Sequence, residues 1–120
     1  MSRPTNVVSL HPYFKAHPGK LPAIRGLLDR FVAQTQGEPL CLGYEFTLEG
    51  DVIFCREAYA GAAGALAHVQ NVGPLIDEML TLSDLVRLEV HGPAEELDQL
   101  RGPMAGLKPA WFVRVCGIAR

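Results

Sequence analysis

Glu57 stands in the run Val52–Tyr59, VIFCREAY, whose alternate residues on its own side are Ile53, Cys55 and Tyr59. A carboxyl group in such company must find a partner or hold its proton toward neutrality, which suits it to general acid or base work. Tyr44 lies in the preceding run, Cys41–Glu49, where a phenol could orient a substrate. Tyr59 offers a flat apolar wall with a polar tip. His68 follows in a small-residue segment, AGAAGALAH, and a neutral imidazole there could take a proton from a phenol or an enol. His11 lies on a first segment whose face is ambiguous. Each has a plainer reading. Glu57 and Tyr44 could be a hydrogen-bonded pair that satisfies a buried carboxylate. His68 could be a structural histidine bonded to a backbone carbonyl or to Glu57, and Tyr59 could be core.

A hairpin must bring these residues together. Cys41–Glu49 and Val52–Tyr59 are rich in β-branched and aromatic residues, and Gly50-Asp51 between them suits a two-residue primed turn. With that loop, Glu49 faces Val52, Thr47 faces Phe54, Glu45 faces Arg56, Tyr44 faces Glu57 and Leu42 faces Tyr59. Alternation then gives one apolar face (Leu42, Tyr44, Phe46, Leu48, Ile53, Cys55, Glu57, Tyr59) and one mixed face (Gly43, Glu45, Thr47, Val52, Phe54, Arg56, Ala58).

Around the hairpin, 6–14 reads as a first strand ended by His17-Pro18-Gly19. The segment 20–35 is an amphipathic helix with Leu21, Ile24, Leu27, Leu28, Phe31, Val32 and Thr35 on one stripe. Ala62, Ala65, Leu66 and Val69 mark a second helix, with His68 at the edge of its buried stripe. Gly73-Pro74 interrupts it, and a short helical turn continues over 75–80. The segment 83–91 reads as a strand with Val86, Leu88 and Val90 on one face and Leu85, Arg87, Glu89 and His91 on the other. Pro93 opens a short helix, Glu95 and Glu96 in its first turn, and 111–116 is a last short strand. The order βαββαβ plus an αβ tail predicts an α+β, ferredoxin-like fold: an antiparallel sheet with helices on one face. The domain is expected to be single, with a core of about 6–91 and an extension of about 92–120.

The mixed face, where Phe54, Val52 and Leu85 sit among the charges of Glu45, Arg56, Arg87 and Glu89, predicts burial against a second copy, a homodimer. Glu45 and Arg56 read as an ion pair in that interface, and Trp111 as packing the tail strand onto the dimer. His17 and His91, at element ends, read as solvated.

The chain has 120 residues, 48% hydrophobic and 20% charged, with a net charge of −2. That balance gives no basic patch for nucleic acid and no polybasic run for a membrane surface. No apolar run is long enough to span a bilayer, and the N-terminal stretch lacks the apolar segment of a signal peptide, so a cytoplasmic location is expected. The three cysteines, Cys41, Cys55 and Cys116, read as free thiols, with no zinc spacing among them. Nucleotide-binding loops and the common hydrolase motifs are absent.

FKAHPGK at 14–20, GEPLCLGYEF at 37–46, REAY at 56–59 and the Ala67-His68 pair together resemble the antibiotic biosynthesis monooxygenase (ABM) family. The resemblance covers the first two-thirds of the chain. Leu40 stands where the family usually has glycine, and Tyr59 where tryptophan is common. The resemblance implies a dimeric α/β barrel, with a pocket between helices and sheet in each subunit. Tyr44, Glu57 and Tyr59 face that side, and the helical histidine borders it. Some members oxidise anthrones or quinols with O₂ and no cofactor. Others bind and degrade haem through a histidine of this helix, and some have no known reaction. The expected function is therefore a cofactor-independent monooxygenase acting on a small aromatic molecule, with His68, Glu57 and Tyr44 catalytic and Tyr59 and His11 binding substrate. A haem-binding protein and a non-catalytic small-molecule binder are the alternatives.

Overall fold

The computed structural model describes residues 5–118; the outermost parts of the expected domain and of the N-terminal stretch lie outside them. The chain runs β1 (Val7–Ala16), α1 (Leu21–Thr35), β2 (Cys41–Glu49), β3 (Val52–Ala60), α2 (Gly61–Asn71), α3 (Gly73–Leu82), β4 (Ser83–Gly92), α4 (Ala94–Leu100), a short 3-10 turn (Ala105–Leu107) and β5 (Ala110–Val113). The strands form one sheet in the order β2-β3-β1-β4-β5. The first four are antiparallel in the ferredoxin-like arrangement. β5 lies parallel to β4, so the sheet is mixed and not wholly antiparallel as expected.

The β2–β3 hairpin turns at Gly50, whose φ of 57° is a conformation glycine adopts without steric cost. From Glu49↔Val52 to Tyr44↔Glu57 the register is the one the turn dictates. It departs at Leu42. Cys41 pairs with Tyr59 and Gly43 with Ala58, so Leu42 is an extra residue in the ladder. The bulge turns Leu42 outward, 41% exposed, and brings Cys41 against the core in its place. A second bulge lies between β1 and β4, where Tyr13 pairs with Arg87 and Phe14 with Leu85. Val86 is the residue passed over. It is 57% exposed instead of inward, and Leu85 takes the inward place.

The helices cover one sheet face. α1 buries Ile24, Leu27, Phe31 and Thr35, while Val32 at the edge of its stripe stays exposed. Two apolar clusters result. One gathers Val8, Leu10, Tyr59, Ala65, Leu88 and Val90 under α2 and α4; the other gathers Ile24, Leu27, Phe31, Ile53, Val72 and Met79 under α1 and α3. The C-terminal extension belongs to the first cluster through Leu97, Leu100 and Met104. Trp111 packs against that same cluster, with the Arg101 guanidinium 4.9 Å from its ring, and so is held by its own chain. The extension also holds the start of α2: the Ala62 amide, which has no partner inside its helix, donates to Glu96 at 2.8 Å. Among the described residues, no helix is long and apolar enough to cross a membrane.

Candidate active site

α2 crosses β3 at close range because Gly64 lies over Tyr59. A Cβ on Gly64 would stand 2.9 Å from Tyr59 Cβ, closer than real Cβ atoms come, and 3.1 Å from Leu40 Cβ, tighter than most. That contact lowers His68, one turn further along α2, onto the inward side chains of β2 and β3. His68 is therefore buried at 3% exposure, not at the edge of the stripe. Its ring centroid is 5.0 Å from those of both Tyr44 and Tyr59.

Glu57 lies beneath the imidazole, its Oε1 3.4 Å from His68 Nε2, a contact longer than a good hydrogen bond. The firm partner of Glu57 is Tyr59, whose hydroxyl donates to Oε1 at 2.6 Å. Tyr44, opposite Glu57 in the ladder, instead packs its ring against His68 and Phe46. Burial pushes the Glu57 carboxyl up from the usual carboxylate range to about 7; hydrogen bonds from Tyr59 and Cys55 pull the other way, and the charge of Glu38 adds to the rise. Burial lowers the His68 pKa, and Glu38 opposes it. Burial and the Glu57 charge hold the Tyr44, Tyr59 and Cys55 groups far above their ordinary values, so all three stay protonated. Cys41 too is raised, by burial.

Glu38 is the residue the sequence pattern did not single out. It sits in the loop after α1, and its carboxylate takes His68 Nδ1 at 2.9 and 3.1 Å. Asn71, one turn beyond His68, donates to the same carboxylate at 2.7 Å and to the Gln34 carbonyl at 3.0 Å. The Glu-Pro of GEPLC was the available signal. Nothing in its spacing tied it to a histidine thirty residues away.

These groups border a cavity of about 60 Å³ at the seam between the two apolar clusters. Glu57 and His68 reach it together, Tyr44 and Cys55 edge it, and Leu10, Phe31 and Met79 are among its apolar walls. The extension supplies Met104 and Leu107 at one end. Tyr59, expected to bind substrate, stands behind Glu57, wholly buried, and is not among the residues that line the cavity. His11 is also not at the cavity. Strand alternation turns it to the opposite sheet face, where it stacks on Phe54, meets His91 edge-on, and its Nε2 contacts Ser9 Oγ at 2.8 Å. His91, expected to be solvated, is half-buried between His11 and Phe112.

The site does not fit haem. His68 Nε2, the nitrogen left to ligate an iron, faces the buried Glu57 carboxyl at 3.4 Å, and the cavity beside it, about 60 Å³, has no room for a porphyrin.

A five-stranded α+β sheet of ferredoxin-like order, with an acid and a histidine under its second helix, defines the class. The fold is the one that antibiotic biosynthesis monooxygenase proteins have. The chain is similar over nearly its whole length to MupZ from Pseudomonas fluorescens, at 40% identity and a TM-score of 0.91, covering 96% of this chain and 95% of that one. A candidate antibiotic biosynthesis monooxygenase from Caulobacter crescentus CB15 shares the fold at 19% identity and a TM-score of 0.65, covering 72% of this chain and 88% of that one. Another from Chloroflexus aurantiacus J-10-fl does so at 21% and 0.61, covering 73% and 93%. No family model matches the sequence, and no curated protein matches it.

Proposed function

We propose that the protein is a cofactor-independent monooxygenase that oxidises a small, uncharged aromatic molecule of the anthrone or quinol kind. The observation that carries this reading is the meeting of Glu57 and His68 in an apolar cavity that no cationic side chain lines. A carboxyl group poised near neutrality is matched to removing a weakly acidic proton at pH 7. With an anthrone, Glu57 takes a proton from the CH₂ group and the enolate passes one electron to O₂. The radical pair then combines to a peroxide. Glu57 returns its proton to the outer peroxide oxygen and then takes the remaining hydrogen from the same carbon; the O–O bond breaks, the outer oxygen leaves as hydroxide and picks up that proton as water, and the inner oxygen stays in the product as a new carbonyl. The apolar walls keep bulk water from the enolate, and Tyr44 packs the ring. The flexible Met79 and Met104 side chains must give way for a fused ring, since the cavity at rest holds only a few waters at about 10–15 Å³ each.

The test is oxygen uptake with a panel of anthrones and hydroquinones. Uptake should match product one to one and fall in Glu57→Gln and His68→Ala. No uptake across the panel, or unchanged rates in both variants, overturns the reading. The pairing of an acid with an imidazole favours one other outcome: turnover without oxygen consumption, which would make the site a proton-transfer catalyst such as an isomerase.

The protein is further proposed to work as a homodimer joined through the exposed sheet face. Glu45 and Arg56 form a 2.6 Å ion pair there, and the aromatic side chains Tyr13, Phe54 and Phe112 lie on the same face.

A further inference from the structure

Asn71 Nδ2 has two hydrogens and two acceptors. One acceptor is the Gln34 carbonyl, which cannot donate, and this fixes the orientation of the amide; Gln34 Nε2 confirms it by donating to Asn71 Oδ1 at 2.9 Å. The other hydrogen then goes to Glu38 Oε2, which must accept. Glu38, side chain 9% exposed, thus presents an accepting oxygen to His68 Nδ1 at 2.9 Å. An accepting oxygen there calls for a proton on Nδ1, which leaves Nε2 as the acceptor, 3.4 Å from Glu57 Oε1. Tyr59 already donates to that oxygen.

We infer that Glu38 is a positioning residue: through Nδ1 it holds His68 in the tautomer whose Nε2 is an acceptor on the side of Glu57, so that the two groups act as one acid–base pair. The inference about the tautomer stands apart from the oxygenase reading; only its consequence for turnover rests on it. Without Glu38 the imidazole is free to place its hydrogen on Nε2 and donate to Glu57. The pair then loses its acceptor, and Glu57 is held as a hydrogen-bonded carboxylate, a weaker base. Burial favours the same proton arrangement, because it disfavours the imidazolium and the carboxylate alike. The groups facing His68 are Glu38 from the loop, Asn71 from its own helix, Tyr44 from β2 and Glu57 and Tyr59 from β3.

The experiment is nitrogen NMR of protein labelled in its histidine rings, with His68 assigned through His68→Gln. Between pH 6.5 and 8 the wild type should show a protonated Nδ1 and an unprotonated Nε2. Glu38→Leu keeps the volume and removes the acceptor, and should lose that tautomer. Its kcat should fall about 10- to 100-fold with KM little changed, and the pH profile should shift. Glu38→Gln, which keeps one accepting oxygen, should recover part of the tautomer and part of the rate. A wild-type ring protonated on Nε2 alone, or on both nitrogens, overturns the inference, and that spectrum needs no variant to fold. An unchanged tautomer in Glu38→Leu also overturns it. A changed tautomer in a protein that consumes no oxygen leaves the positioning role standing and removes only the oxygenase reading.

Discussion

Glu57 Oε1 and His68 Nε2 stand 3.4 Å apart with both side chains more than nine-tenths buried. A carboxyl group there pays for its burial in ionisation. Its pKa is about 7 in the folded chain against 4.5 when solvated, so between those values the folded state binds more protons than the unfolded one. The stability it contributes is fully present below pH 4.5 and is lost as pH rises through about 7, on the order of 3 kcal/mol in all. His68 acts in the opposite sense. Its lowered pKa makes stability fall as pH drops below 6.5. Comparison with Glu57→Gln separates the two. The stability advantage of the wild type over this variant should shrink by a few kcal/mol between pH 4.5 and 8, as read from urea unfolding at each pH. A difference that does not vary with pH would show that Glu57 is not held near neutrality.

Tyr59→Phe removes the 2.6 Å hydrogen bond to that carboxyl group and little else, since the ring is core. The hydroxyl favours the ionised acid, so its loss should raise the Glu57 pKa further and move the rise in the pH–rate profile to higher pH. The fold should lose about 1–3 kcal/mol through the unmet partner. An unmoved profile would mean that Tyr59 is packing alone.

Much of this arrangement was legible from residue spacing, and the exceptions share a cause. Gly50-Asp51 and strict alternation are local signals, and they place Tyr44 opposite Glu57 and both beneath a helix. The misplaced residues, Leu42 and Val86, are both bulges. Whether a strand carries an extra residue depends on how it meets a partner strand, which its own pattern does not encode. His68 looked peripheral because the apolar stripe was the only guide. Its full burial is made possible by Glu38 and Asn71, polar partners that the stripe cannot reveal. His11 was ambiguous until pairing with β3 and β4 turned it outward. The parallel pairing of β5 also follows from where α4 leaves the chain, not from the four strand residues themselves.

Glycine at two helical positions should give opposite results. Gly64→Ala brings a methyl group 2.9 Å from Tyr59 Cβ, and neither backbone is free to withdraw. Overpacking of about 1–3 kcal/mol should exceed the gain in helix propensity, and His68 should be lifted from Glu57, with activity falling alongside stability. Gly26→Ala in α1 meets nothing within 4 Å and should stabilise the protein by about 0.5–1 kcal/mol with activity unchanged. Thermal unfolding of the two variants checks both signs. A neutral Gly64→Ala would mean that the approach of α2 to β3 does not set the site.

The proposed dimer makes a demand on the outer sheet face. Phe54 lies on that face, 4.7 Å from the Tyr13 ring and 5.9 Å from His11, with the Arg56 guanidinium 5.9 Å from its own ring. Adjacent opposite charges and a shared aromatic patch are self-complementary across a two-fold axis, where the same surface meets itself. Phe54→Asp should therefore weaken association at least about tenfold in Kd, as loss of an aromatic anchor does, while far-ultraviolet dichroism stays unchanged. Arg56→Glu should also weaken it by placing like charges beside Glu45, and Glu45→Arg in the same chain should restore the pair. Sedimentation velocity at micromolar concentration reads all three. A wild type that sediments as a monomer would leave this face without a partner of its own kind and would remove the dimer from the proposal.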